Sequence, residues 1–203
     1  MAIWGTPGER PRTWLKPAYK HIKNKLGGNL TGAAIGISFG YGEEYVLENV
    51  SLKKLFMIDP YTHYDFSAMT PELWEEQYNH AKEKFGGLQN ADLWRVSSEA
   101  ASRLIADGSL DFVYIDGNHF YPAVKKDIEL WWPKVRVGGV MGGHDYSDVP
   151  PETKVDDLLY TFAIDGVHYG VIKAVREFAS SDGLKLNHEM IGLESECDWW
   201  IDK

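Results

Sequence analysis

The feature that most constrains this chain is a rhythm of short apolar runs, each closed by a polar or glycine residue and followed by a helical stretch. Gly32–Ile37, Leu55–Ile58 and Phe112–Ile115 are the clearest runs; Gly138–Gly143 is a glycine-rich fourth and Ala91–Val96 a weaker fifth. Runs this short and this apolar suit strands buried on both faces of a sheet. Before the first run, Leu15, Tyr19, Ile22 and Leu26 recur at helical spacing over Trp14–Leu26, and Gly27-Gly28 stops that helix. A helical stretch over Glu43–Asn49 follows the first run. Thr70-Pro71-Glu72 supplies an N-cap, a first-turn proline and a first-turn acid for a helix ending near Phe85. Ser97 or Ser98 caps a short helix, Pro122 opens another whose Val124, Ile128, Trp131 and Val135 share a face, and Val171–Phe178 forms a last one. Strands alternating with helices predict βαβ units and a parallel sheet. Two late runs near Leu184–Ile191 and Asp198–Ile201 have no helix between them and predict a terminal hairpin.

The length of 203 residues fits one domain with a substantial core, preceded by a helical extension over about residues 1–29. No run reaches the roughly 18 apolar residues of a membrane span. Met1–Pro11 has no apolar h-region, and Cys197 is the sole cysteine, so a reducing cytoplasm is the expected compartment. The net charge of -9 argues against a nonspecific nucleic-acid binder, which needs a basic surface. No nucleic-acid or membrane partner is expected, and a homo-oligomer stays open.

In open α/β sheets, ligands bind beyond the carboxyl ends of the strands. The residues that close the strands here are Ser38 and Gly40, Asp59, Ser97, Asp116, and His144-Asp145, and they should converge on one edge. Gly36-x-Ser38-x-Gly40-x-Gly42 sits at a strand-to-helix turn, where glycines admit close approach of a nucleotide or amino-acid moiety, or simply make a tight turn. Its spacing is not that of the dinucleotide fingerprint. Asp59-Pro60 follows about twenty residues later, where a carboxylate can accept from ribose hydroxyls or only shape a turn. Asp116, His144 and Asp145 offer two carboxylates and an imidazole to a divalent cation, or cap their own loops. His119 is placed to take a proton from a hydroxyl, or to bond a loop carbonyl. His63, His80, His168 and His188 read as surface or structural. Trp131-Trp132 and Trp199-Trp200 read as core aromatics, and Lys125-Lys126 and Glu43-Glu44 as solvated faces.

Several of these segments resemble one family. Asp111-Phe-Val-Tyr-Ile-Asp-Gly-Asn-His119, the helix ending Leu130-Trp-Trp-Pro133, and Gly138-Gly-Val-Met-Gly-Gly-His-Asp-Tyr146 resemble the family 24 class I methyltransferases. Lys54–Tyr61 and Gly170–Phe178 are similar to their second strand and late helix. The likeness runs over roughly residues 30 to 203, as do the strand–helix units. It implies a Rossmann-like α/β fold with a seven-stranded, mostly parallel sheet whose last strand is antiparallel. It also implies S-adenosylmethionine above the glycine loop of Gly36, Ser38 and Gly40, with Asp59-Pro60 at the ribose and Ser97 or Ser98 beside the adenine. Asp116 lies at the cofactor and, with His144 and Asp145, at the place where metal-dependent relatives hold magnesium.

Three departures stand out. Ala34 replaces an acid of the first strand that serves the methionine amino group. Asn118 stands where many relatives have a second acid. His144 replaces a carboxylate or amide, which suits manganese better than magnesium.

These readings combine into a methyl transfer from S-adenosylmethionine to a hydroxyl of a small molecule or sugar. A divalent ion, Mg2+ or Mn2+, would assist, and Asp116, His119 and His144 would be the catalytic groups, His119 as base. The irregular segment from Tyr146 to His168 would cover the acceptor. The rival reading is a binding protein that kept the fold and lost the chemistry, which Ala34 and Asn118 favour. A Rossmann oxidoreductase is a weaker rival, disfavoured by the glycine spacing and the terminal hairpin.

Overall fold

The computed structural model describes residues 16–62, 70–150, 167–190 and 197–203. The elements are α1 (Pro17–Leu26), β1 (Leu30–Ile35), α2 (Tyr41–Asn49), β2 (Leu52–Ile58), α3 (Pro71–Phe85), β3 (Ala91–Trp94), α4 (Ser98–Ser102), β4 (Leu110–Ile115), α5 (Tyr121–Trp131), β5 (Val135–Tyr146), α6 (Tyr169–Ser181), β6 (Leu186–Met190) and β7 (Cys197–Asp202). The strands make one seven-stranded sheet of order β3-β2-β1-β4-β5-β7-β6. β1 to β5 run parallel, and β7 is antiparallel to both of its neighbours. The order reverses between β1 and β4, the switch point where such sheets open a crevice.

The local signals behave as the sequence predicts at most ends. Thr70 accepts from the Leu73 N–H at 3.3 Å and Pro71 opens α3. Ser97 caps α4 by accepting from the Ala100 N–H at 3.2 Å. Some boundaries differ: β1 ends at Ile35 rather than Ile37, Val135 opens β5 rather than extending the face of α5, and β5 does not stop at Gly143 but runs on to Tyr146, which pairs with Cys197 of β7. The ladder shifts register between Gly143 and Tyr146, and Asp145 takes a left-handed φ of 60°. His144 and Asp145 therefore form an irregular step inside the strand, which turns their side chains into the site.

Because every central strand is covered on both faces, two cores form. Ile35, Val113, Ile115 and Met141 pack against Val124, Ile128 and Trp131 of α5 and Val171, Ile172 and Val175 of α6. Ala34, Met57, Phe112, Tyr114 and Val140 pack against Ala18, Tyr19 and Ile22 of α1, Val46 of α2, and Ala81 and Phe85 of α3. α1, read as part of an extension, thus covers the sheet directly. Tyr19 stacks on Tyr114 at 4.3 Å, and the buried Asp198 of β7 accepts from the Ala18 N–H at 2.9 Å and the Tyr114 hydroxyl at 2.8 Å. Glu43, read as solvated, is buried in the first turn of α2, while Glu44 pairs with Lys84.

A buried polar link ties α4 to α5. Ser98 donates its hydroxyl proton to Asp127 and accepts from the Trp131 indole N–H at 2.8 Å. Burial pushes the Asp127 carboxyl up to about 6. A carboxyl raised in the folded state favours folding below its unfolded value near 4 and loses that advantage as pH rises through its folded value. Asp127→Asn keeps an acceptor for Ser98 and cannot ionise. It should be more stable than the parent at pH 7.5 by up to about 3 kcal/mol, with the gap closing toward pH 4. Urea unfolding at the two pH values measures this; a gap independent of pH would show that Asp127 does not titrate with folding.

Candidate active site

β1, β2, β3 and β4 stop at a common level, and β5 passes through it. Ile35 pairs with Ile58 and Ile115, Ile58 with Trp94, and Ile115 with Gly143. The next residues in each strand therefore stand in a row: Gly36, Asp59, Asp116 and His144. Gly36 has φ 86°, and a Cβ on it would lie 2.1 Å from the Asp116 carbonyl oxygen. A side chain there is excluded by the neighbouring strand end, so this glycine is required by packing as well as by its φ.

Asp59 is buried and holds the glycine loop. One carboxylate oxygen accepts from the Ile37 and Ser38 N–H groups at 2.9 and 3.1 Å, and the other from the Tyr61 N–H at 2.7 Å. Burial raises its pKa against the lowering effect of those bonds. A carboxylate has about four acceptor positions, so capacity for one further donor remains after these three bonds. Tyr61 closes the arrangement by donating its hydroxyl to the Ser38 carbonyl at 3.1 Å. A Cβ on Gly42 would meet nothing within 4 Å, so the first turn of α2 faces open space beside this loop. Pro60 is exposed beside Asp59. Ser97 and Ser98 stand after β3, with their hydroxyls engaged in the cap and in the Asp127–Trp131 link already described.

On the other side of the switch point, six titratable groups crowd together. Asp116 pairs with Lys16 at 2.7 Å. His119 Nε2 lies 2.9 Å from Asp145 Oδ2 and 3.8 Å from Asp116 Oδ1. His144 Nδ1 lies 2.7 Å from Asp145 Oδ1. His168, at the start of α6, brings its Nε2 to 3.9 Å from the same Oδ1, and its ring meets that of His119 edge-on at 4.4 Å. Sequence reading brings Asp116, His119, His144 and Asp145 together correctly. It misses Lys16, which lies outside every strand end, and it treats His168 as structural; the only signal was its position beside an irregular segment. Residues 151–166, the centre of the expected cover, lie outside the described residues, as does His63.

Opposite charges stabilise one another inside the cluster. Burial opposes ionisation of Asp116 and Asp145, but Lys16 and His144 on the first, and His144 and His119 on the second, hold both well below the usual carboxylate range. Burial likewise opposes charging of His119, and Asp145 with Asp116 outweighs it, pushing the imidazole up to about 10. His144 is raised in the same manner, against burial and Lys16. Asn118 does not act as a second acid: its Oδ1 accepts from the Phe120 N–H at 2.9 Å and shapes the loop that carries His119.

The donors fit a divalent ion in two overlapping ways. Asp116, His144 and Asp145 place one ligand atom each within 4.8 Å of one another, and so do His119, Asp145 and His168. Asp145 is common to both. The first set meets a competitor, because the Lys16 ammonium already sits on Asp116.

With this geometry in view, comparison with known proteins is decisive for the family. The profile of a methyltransferase domain matches residues 31–146, more than half of the chain. The chain belongs to that family. A Streptococcus mutans protein solved in complex with S-adenosylhomocysteine shares the fold at a TM-score of 0.61 and 11% identity, over 96% of this chain and 98% of that one. A SAM-dependent methyltransferase of Aquifex aeolicus superposes at 0.59 with 15% identity, over 93% and 90%. The N-methyltransferase NodS of Bradyrhizobium japonicum does so at 0.56 with 11% identity, over 91% of each chain. A curated relative, the y4gI protein of Sinorhizobium fredii, is 46% identical over 41 residues, which are 20% of this chain and 4% of that protein. The fold expected from the sequence is therefore the fold found. No helix among the described residues is long and apolar enough to cross a membrane.

Removing the ammonium from the cluster should expose its dependence on charge pairing. Lys16→Met leaves Asp116 without its closest counter-charge and should cost about 1–3 kcal/mol of folding stability, between the scales for an exposed and a buried ion pair. Asp116→Asn in the Lys16→Met background should recover part of that loss in urea unfolding. Independent, additive losses would mean that the pair is not coupled.

Proposed function

We propose that this chain transfers the methyl group of S-adenosylmethionine to a hydroxyl of a small molecule or sugar. The observation that carries this reading is the row of strand-end residues. Gly36 and Asp59 lie on one side of the switch point, and Asp116 and the Asp145 cluster on the other, on a sheet of methyltransferase order. The cofactor's ribose would meet the remaining acceptor position of Asp59, and its methionine ammonium the Asp116 carboxylate. The methyl group would then point toward the cluster on β5.

The methyl sulfonium is already activated, so the chain must align the acceptor oxygen with the methyl carbon and help the oxygen lose its proton. Two forms of that help are open to these residues. His119, held protonated by Asp145 and Asp116, could receive the proton only after giving up its own, with Asp145 orienting its ring. Alternatively, a divalent ion on Asp145 would supply a Lewis acid that lowers the pKa of the acceptor hydroxyl. The gathering of two donor sets on Asp145 favours the second form.

Two measurements test the reading. In calorimetry, S-adenosylhomocysteine should bind, and Asp59→Ala should weaken it by about 1.5–3 kcal/mol, the cost of losing hydrogen bonds to a charged group. Undiminished affinity would remove Asp59 from the cofactor site. Labelled S-adenosylmethionine should then transfer its methyl group to a member of a panel of sugars and phenolic or aliphatic hydroxyl compounds, and EDTA should suppress the transfer. Cofactor binding with no turnover on any panel member or on amines would favour the binding-protein reading. Turnover that survives EDTA but not His119→Ala would restore His119 as the base.

A further inference from the structure

Asp145 is a buried carboxylate on a left-handed residue, and it faces three imidazoles. They reach it from separate parts of the chain: His119 from the loop after β4, His144 from β5 itself, and His168 from the start of α6. The approach of α6 is built in. A Cβ on Gly170 would lie 2.4 Å from the His119 carbonyl oxygen and 2.5 Å from the Tyr121 nitrogen. The glycine thus lets α6 touch the His119 loop, and that contact sets His168 against His119.

The two donor sets around Asp145 are not equivalent. Asp116 already carries an ammonium at 2.7 Å from Lys16, itself buried and lying over the Tyr114 ring at 4.9 Å. A divalent ion on Asp116 would share that carboxylate with a fixed positive charge. The opposite flank of Asp145 has two imidazoles, His119 and His168, and no lysine among the described residues within ion-pair distance of Asp145. His144 then has a different task. Its Nδ1 bonds Asp145 Oδ1 at 2.7 Å and fixes the orientation of the carboxylate, as groups behind a metal ligand commonly do.

We propose that His119, Asp145 and His168 form a site for a first-row transition ion, two imidazoles and one carboxylate, with Lys16 occupying the cation position at Asp116. Two nitrogens and one oxygen select a borderline ion such as manganese, iron, cobalt or zinc over magnesium, which prefers all-oxygen sets. Three protein ligands leave coordination positions for water or an acceptor oxygen. The site would serve the methyl transfer proposed above, but its existence is tested apart from it.

Cobalt(II) is the probe, because its visible absorption reports the ligands as well as occupancy. Titration of the metal-free protein, without cofactor or acceptor, should give a saturable visible band, and magnesium should compete at least about tenfold more weakly than manganese. His168→Asn and His119→Asn should each weaken cobalt binding about tenfold or more and alter the band, whereas Asp116→Asn should change affinity by less than about threefold, since removing a true ligand or its support costs tenfold to a hundredfold. Circular dichroism confirms that each variant is folded, and His168→Asp, which restores an anionic ligand, should recover binding if His168→Asn is unstable. The proposal is overturned if cobalt does not bind the folded parent. It is also overturned if His168→Asn and His119→Asn bind as the parent does, or if Asp116→Asn loses as much as they do, which would place the ion with Asp116 and His144. Calorimetry with S-adenosylhomocysteine in EDTA runs alongside; its failure would count against the methyl-transfer reading and leave the metal result standing.

Discussion

β1, β2, β3 and β4 stop at one level because their ladders stay in register to the last pair. Ile35, Ile58, Trp94 and Ile115 form one row across the sheet, which Gly143 of the longer β5 extends, and the chain leaves the ladder directly after each of the first four. Everything chemical in this molecule follows from that shared stop. A slip of one residue in any strand would turn its closing side chain to the opposite face and bury its apolar set in the wrong core. The two cores that fix the register are thus also what aims Asp59 and Asp116. Gly36 marks how close the fit is, since the β4 end occupies the space a side chain would need.

The cluster beyond that stop is an electrostatic balance as much as a site. The buried carboxylate of Asp145 and the half-buried one of Asp116 would be costly alone, and each has a cation or an imidazole within 2.9 Å. The left-handed step at Asp145 interrupts the pairing of β5 with β7 at that point, so strand regularity is given up where the ligands converge. That exchange is what a functional site looks like energetically: local backbone order is lost, and a buried charge with several partners is gained.

Helix α1 shows how far an apparent appendage can be part of the machinery. Its N-terminal turn is tied to β7 through Asp198, and its Tyr19 is stacked on Tyr114 of β4. Lys16 immediately precedes it and is thereby delivered to Asp116, the residue that ends β4. Ala34, where the family resemblance implies an acid, lies on this same sheet face and is packed beneath the α1 core.

The apolar rhythm of the sequence by itself determined the alternation of strands and helices, the terminal hairpin, and the strand-end positions of Asp59 and Asp116. These are local properties: a short β-branched or aromatic run, a threonine cap, a proline in a first turn. The family likeness of Asp111–Tyr146 was legible for the same reason, since it rests on contiguous residues. Only the tertiary structure decided which groups meet. Lys16 lies 100 residues from Asp116 in the chain, and His168 reaches His119 because Gly170 allows two segments to touch, a fact no local pattern encodes. Asp59 could be seen as a strand-end acid, yet its work in holding the glycine loop depends on three backbone N–H groups whose direction is set by folding. The continuation of β5 through His144-Asp145 likewise depends on a partner strand supplied from the far end of the chain, because a strand ends where its pairing ends.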